Sequence, residues 1–273
     1  MAAALGALLV TGCDSAPKAS EPSLPPPRII SGPVSAAAAC RGPSPSARPA
    51  EPSLASAPGD PRQLVATWLE NPAGAVIAVS HDGGGNWSRS PLPSLLTCAG
   101  GRYARTSDPW VSIGQDGVTY VAVLGARPAT ALGTTYDIVV TVSRDHASTW
   151  ETPVVVESAT APPTQPDKEA ILADPRHPGA AFAVWVDYQV TSGVEPGINQ
   201  VMFARTSDSG HTWSTPAAIY SGNDEAQQNQ LMLTAGGVLL DVFVEGPTLP
   251  SAPHPPPGGG ASGSPASIDS PMS

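Results

Sequence analysis

One octapeptide pattern, Ser/Thr-x-Asp-x-Gly/Ala-x-x-Trp, occurs three times at a fixed interval, which limits the chain to architectures built of small equivalent units. The copies run from Ser80 to Trp87, from Ser143 to Trp150 and from Thr206 to Trp213. Trp87 and Trp150 are 63 residues apart, as are Trp150 and Trp213. A unit of that size cannot cover both of its faces alone and must stack on its neighbours.

Short β-branched runs fall in phase with the octapeptides. Leu64–Trp68 and Ala75–Val79 precede the first copy. Trp110–Ile113, Thr119–Leu124 and Ile138–Val142 precede the second, with Val154–Val156 after it. Ala170–Leu172, Ala181–Val186 and Val201–Ala204 precede the third, followed by Ala217–Tyr220, and Leu231–Leu233 and Val238–Val244 begin another unit. Four strands in roughly 60 residues, with no helical periodicity between them, predict an all-β propeller of four-stranded blades, about three blades and part of a fourth. Immunoglobulin-like units are longer, about 100 residues, and lack this turn motif. Asp108, Asp167 and Gln228 each stand just before the expected first strand of a unit.

The octapeptide resembles the Asp-box, or BNR repeat, of the sialidase-like β-propellers. The resemblance implies that each copy is the turn between the third and fourth strands of a blade, on the face opposite the substrate pocket. It makes Ser80, Asp82, Gly84 and Trp87, Ser143, Asp145 and Trp150, and Thr206, Asp208, Gly210 and Trp213 structural. The carboxylate accepts bonds from N–H groups that the turn leaves unpaired, Gly supplies a positive φ, and Trp covers of order 150–250 Å² of apolar surface. Ala147 stands in the Gly position of the second copy and costs about 1 kcal/mol if φ is positive there. Three carboxylates a whole blade apart cannot act on one bond. His81, His146 and His211 hold different places in their copies and form no metal site. Propellers of this family close with six blades, so the expectation is a truncated or frameshifted gene product, two chains completing one ring, or a fragment.

Thirteen Lys+Arg against 23 Asp+Glu give a net charge of −10 without a basic run, which excludes nucleic acid as a partner. The apolar start running into Val10-Thr11-Gly12-Cys13 looks like a bacterial lipoprotein signal, with Cys13 lipidated and 1–13 as signal peptide. A soluble export signal, or none, is the alternative, because no Lys or Arg precedes the apolar run. The expected place is the bacterial cell envelope, bound through the lipid alone, or else secreted or periplasmic. Residues 14–60 read as a Pro/Ser/Ala-rich tether, 61–246 as the partial propeller, and 247–273 as a Pro/Gly/Ser-rich tail. Cys40 and Cys98 either pair in an oxidising compartment or remain as two thiols.

The resemblance places a ligand site on the rim opposite the octapeptides, in the loops entering the first strand of each blade and those joining the second to the third. These loops carry Arg102, Tyr103, Arg105, Asp108 and Trp110; Asp167, Lys168 and Glu169; Asp187, Tyr188 and Glu195; and Asp224, Glu225 and Gln228. Trp110, Asp167, Asp187 and Gln228 suit a sugar, whose ring faces stack while its hydroxyls take paired hydrogen bonds; ordinary solvated loops are the plain alternative. Asp108, Arg105, Tyr103, Glu169 and Tyr188 are of the types a sialidase uses, but the Arg-Ile-Pro segment and the further clamp arginines of that family are missing, so no catalytic role is assigned. The expectation is a glycan- or protein-binding surface without a cofactor or a metal. An exo-α-sialidase or related glycoside hydrolase in full-length form and a scaffolding or assembly propeller without a sugar ligand are the alternatives, and open propeller edges offer a route to self-association.

Overall fold

The computed structural model describes residues 27–31, 49–70, 74–92, 95–131, 133–159, 164–189, 199–222 and 224–246. The architecture below belongs to the unit Gly32–Ser273. The signal region with Cys13, residue Cys40, residue Glu195 and the tail 247–273 lie outside the described residues.

Among the described residues, fourteen strands form three four-stranded antiparallel sheets and one two-stranded sheet. The first blade is β1 (Ala50–Ala57), β2 (Asp60–Leu69), β3 (Ala75–Ser80) and β4 (Ser88–Pro91). The second is β5 (Arg105–Ile113), β6 (Thr119–Ala126), β7 (Tyr136–Ser143) and β8 (Val154–Ser158). The third is β9 (Thr164–Ala173), β10 (Ala181–Gln189), β11 (Asn199–Thr206) and β12 (Ala217–Gly222), and β13 (Glu225–Leu233) pairs with β14 (Leu239–Gly246). Each sheet is a simple meander, and the first strands β1, β5, β9 and β13 contact one another in succession. Radial repetition of this kind leaves only short sheet edges.

The strands read as unbroken apolar runs because both faces are covered. In the second blade Val111, Ile113, Val121, Val123 and Val139 pack with Val65, Ile77 and Val79 of the first blade. Their neighbours Tyr120, Ala122, Leu124, Ile138, Val140 and Val142 turn the other way, onto Ile171, Ala183 and Trp185 of the third. The two-residue period of a strand thus divides one apolar run between two cores. Each fully buried Val or Ile contributes roughly 1.5–3 kcal/mol. Side-chain hydroxyls tie the first strands together: Val111 N–H donates to Ser53 Oγ at 3.1 Å and Ala173 N–H to Ser112 Oγ at 2.9 Å.

Strand β1 lies inside the stretch 14–60 that the sequence presents as tether. Its sequence AEPSLASA has no β-branched residue, so local propensity says little; its pairing with β2 and its contact with β5 make it a strand. The blade count agrees with the sequence expectation.

Candidate functional site

Each first strand carries a bulge at the same height. Pairing skips between Ala50 and Ser53 in β1, between Ser107 and Trp110 in β5, between Asp167 and Ala170 in β9, and between Gln227 and Gln230 in β13. The first extra residue of each bulge has a left-handed backbone: Glu51 at φ 55°, Asp108 at 49°, Lys168 at 56° and Gln228 at 59°. Non-glycine residues rarely take this conformation, and four in equivalent places mark a device that re-aims side chains. Asp108, Asp167 and Gln228, expected just before their strands, all lie within them. The bulge position in the third blade is held by Lys168, one residue after Asp167.

The bulges converge on a cleft of about 300 Å³ lined by Glu51, Pro52, Asp108, Pro109, Trp110, Lys168, Glu169, Gln228, Asn229 and Gln230. Hydrogen bonds run from each bulge to the one before it. Asp108 N–H donates to Glu51 Oε2 at 2.8 Å, Lys168 Nζ to Asp108 Oδ1 at 2.7 Å, and Asn229 Nδ2 to the Lys168 carbonyl at 2.8 Å. The site lies opposite the octapeptide turns, because Ala50 pairs with Leu69 at one end of β2 while Ser80 pairs with Leu64 near the other.

Glu169 is 2 % exposed and neither carboxylate oxygen has a hydrogen-bond partner. Burial, reinforced by the charge of Asp108, pushes its carboxyl well above the usual range. Burial also raises Asp167, which accepts the Lys168 N–H at 2.9 Å. Lys168 is raised as well: desolvation opposes its charge, but its bond to Asp108 and the nearby carboxylates outweigh that effect.

Of the candidates named from sequence, Asp108, Trp110, Lys168, Glu169 and Gln228 meet in the cleft. Tyr103 does not. It is 3 % exposed and its hydroxyl donates to buried Asp137 at 2.9 Å, within a cluster that includes Arg127 and Ser158. Burial and that bond raise its pKa, so it is a structural phenol. Arg105 donates to the Tyr136 hydroxyl at 3.2 Å. Tyr188 donates to the Ala226 carbonyl at 2.7 Å, across to β13. Asp187 accepts from Trp185 Nε1 at 3.1 Å, and burial with the charge of Glu157 pushes its pKa up to about 6. Arg102 is exposed, Glu225 opens β13, and the Asp224 carbonyl accepts from Asn199 at 3.1 Å. Sequence reasoning missed Glu51, Pro52, Pro109, Asn229 and Gln230. The shared acid-Pro pair of Glu51-Pro52 and Asp108-Pro109, 57 residues apart, is the signal that could have found the first bulge. A Pro suits such a place because no ladder N–H is required there.

The octapeptides form one turn three times. Asp82 Oδ1 accepts from Ser80 Oγ at 2.9 Å and from Asn86 N–H at 2.8 Å. Asp145 does the same with Ser143 Oγ at 2.8 Å and Thr149 N–H at 2.8 Å, and Asp208 with Thr206 Oγ1 at 2.7 Å and Thr212 N–H at 2.9 Å. The seventh residue adds a side-chain bond to the second carboxylate oxygen in every copy, a regularity the sequence pattern leaves as x. Bonds from Asn86 and Ser80 hold Asp82 at about 2; those from Thr149 and Ser143, and from Thr212 and Thr206, do so for Asp145 and Asp208. Gly84, Ala147 and Gly210 have φ of 91°, 63° and 84°. Trp150 and Trp213 pack against the cores shared with the preceding blade. The histidines are exposed, His146 Nδ1 lying 2.8 Å from Gln63 Oε1 and His211 Nε2 2.9 Å from Arg144.

Cys98 is disulfide-bonded, and the other cysteines, Cys13 and Cys40, are not among the described residues.

No protein-family model matches the chain, and no curated protein matches it significantly. Solved structures do. The α-L-arabinanase of Penicillium chrysogenum complexed with arabinobiose is similar with a TM-score of 0.52 at 21% identity, over 72% of this chain and 57% of that one. An α-L-arabinofuranosidase of Fusarium graminearum with an iminosugar inhibitor gives 0.50 at 18% identity, over 74% and 58%. The sialidase of Trypanosoma rangeli gives 0.43 at 12% identity, over 72% and 37%. This chain therefore spans less than two thirds of the length of each, and at these identities the likeness is one of fold. By strand order, by blade repetition and by its likeness to the first two of these structures, the chain has a β-propeller fold.

Proposed function

We propose that the chain binds a glycan in the axial cleft and does so at the bacterial cell envelope. The observation that carries the reading is the convergence of four in-register bulges, with Trp110 among them, on one cleft. Trp110 and the prolines offer apolar faces to a sugar ring, while Glu51, Asp108, Gln228 and Gln230 supply groups for its hydroxyls. Two of the similar structures hold arabinobiose or an iminosugar inhibitor, which agrees with a sugar site.

Lys168 is the one cation among the described residues lining the cleft, and it is bonded to Asp108. An anionic sugar would meet Glu51 and Asp108 without an arginine to clamp it, so sialosides are disfavoured. The test is a glycan array probed with the full chain and with Trp110→Ala. The reading expects retention on uncharged or amino glycans and a loss of about tenfold or more in Trp110→Ala. Retention on sialosides alone, or equal retention by the variant, would overturn it. Lipidation at Cys13 is tested by fractionation, where Cys13→Ala is expected in the soluble fraction.

A second reading, association with a protein or another copy, is favoured by the outer face of β13 and β14. Met232, Leu240, Val242 and Val244 are 57 %, 38 %, 64 % and 62 % exposed there. An exposed apolar strip of this kind marks an interaction surface. A monodisperse monomer in light scattering at high concentration would remove self-association.

A further inference from the structure

Within the reading of the cleft as a carbohydrate site, we propose that it is specific for an amino sugar, whose primary ammonium is held by Glu169 and Asn229. Two buried polar side chains line the cleft with unused oxygens, and all of these are acceptors once Glu169 is ionised, the form that a bound ammonium favours. Glu169, 2 % exposed, has both oxygens unpartnered, and Asn229, 1 % exposed, has Oδ1 unpartnered. The orientation of the Asn229 amide follows from its Nδ2, which donates to the Lys168 carbonyl at 2.8 Å and leaves Oδ1 as the free end. Buried acceptors without donors are costly and are satisfied by whatever enters the site.

A sugar hydroxyl can donate one hydrogen bond, whereas an ammonium donates three and carries charge. The surrounding charge selects between them. Glu51, Asp108 and Asp167 with Lys168 sum to a formal −2 before Glu169 is counted. Lys168 does not supply the missing donor in this geometry: its ammonium is turned to Asp108 at 2.7 Å, with Asp167 at 3.8 Å, and neither Glu169 oxygen has a hydrogen-bond partner. A ligand ammonium would meet three acceptors and a negative field, while Trp110 covers the ring face.

The experiment titrates the full chain, by calorimetry at mildly acidic pH, with the trisaccharide of glucosamine, its fully N-acetylated counterpart, and spermidine. The amino trisaccharide is expected to bind at least about tenfold tighter than the N-acetylated one, as a charge-assisted bond in a desolvated site implies. Glu169→Gln is expected to erase that preference. Glu51→Gln keeps an oxygen for the Asp108 N–H at an exposed position, and is expected to reduce the preference several-fold; should Glu169→Gln fail to fold, this variant decides. Equal affinity for the two trisaccharides, or an unchanged preference in Glu51→Gln, overturns the amino-sugar inference and leaves the carbohydrate site standing. Spermidine binding as tightly as the amino trisaccharide overturns the carbohydrate reading while the ammonium site stands. Silence with all three overturns both.

Discussion

Lys168 Nζ lies 2.7 Å from Asp108 Oδ1 and joins the bulge of the third blade to that of the second. Asp108 in turn donates its N–H to Glu51 of the first blade, and Asn229 of β13 reaches back to the Lys168 carbonyl. The residues that shape the cleft are therefore also those that lock one blade to the next at its rim. Lys168→Met is expected to lower stability by about 1–3 kcal/mol, because Asp108 keeps its largely buried charge and loses its partner. Urea denaturation measures this, and a midpoint within error of the native chain would contradict it.

The octapeptide glycines are not equivalent. A methyl at Gly84 meets nothing nearer than Leu64 Cδ1 at 3.6 Å, so Gly84→Ala bears only the positive φ, about 1 kcal/mol. A methyl at Gly210 meets Val142 Cγ2 at 2.8 Å in addition. Gly210→Ala is expected to cost roughly 2–4 kcal/mol by adding overpacking to strain. Ala147, which already sits at φ 63°, shows that the strain alone is tolerated. Thermal melts of the two variants rank them.

Asp82, Asp145 and Asp208 are held at about 2, below the usual carboxylate value near 4. Groups depressed in the folded state stabilise it above the unfolded pKa and lose that contribution as pH falls through the folded one. Stability is thus expected to decline between about pH 4 and pH 2. Asp145→Asn is expected to flatten part of that decline, read from urea midpoints across the window.

Asp187 behaves in the opposite sense. Its pKa of about 6 means that the folded chain keeps a proton that the unfolded chain releases near 4, so stability falls as pH rises between those values. Asp187→Asn retains an acceptor for Trp185 Nε1 and removes the buried charge. It is expected to raise stability at pH 7 by about 1–3 kcal/mol, and to change it little at pH 4. Equal gains at both pH values would contradict this account.

Cys98 is disulfide-bonded. Non-reducing peptide mapping of the full chain is expected to join it to Cys40, which agrees with the proposed lipidation at Cys13. A Cys13–Cys98 peptide would contradict the anchor.

The blades are legible in the sequence because their strands are buried on both faces. A run such as Ile138, Val139 and Val140 needs no knowledge of the fold to be recognised as strand. The turns are legible because Asp82, Asp145 and Asp208 solve one hydrogen-bonding problem in one way. Strand β1 is hidden because Ala50–Ala57 is made mostly of small residues and Pro, and becomes a strand only through its neighbours. The cleft is half legible. Asp108, Glu169 and Gln228 stand out by type, but the register that brings them beside Glu51 depends on bulges, of which the sequence marks only the first two, through their acid-Pro pairs. Tyr103 misleads for a similar reason: only the packing shows its hydroxyl turned to Asp137 and away from the cleft.

In the proposed function the rim bulges, and not the octapeptide turns, form the ligand site. Hydrogen-exchange mass spectrometry of the full chain, with and without a glycan retained on the array, tests it directly. Added protection is expected in peptides containing Glu51, Asp108, Lys168 and Gln228, and none in those containing Asp82, Asp145 and Asp208. Protection at the octapeptide turns, with the bulges unchanged, would contradict it.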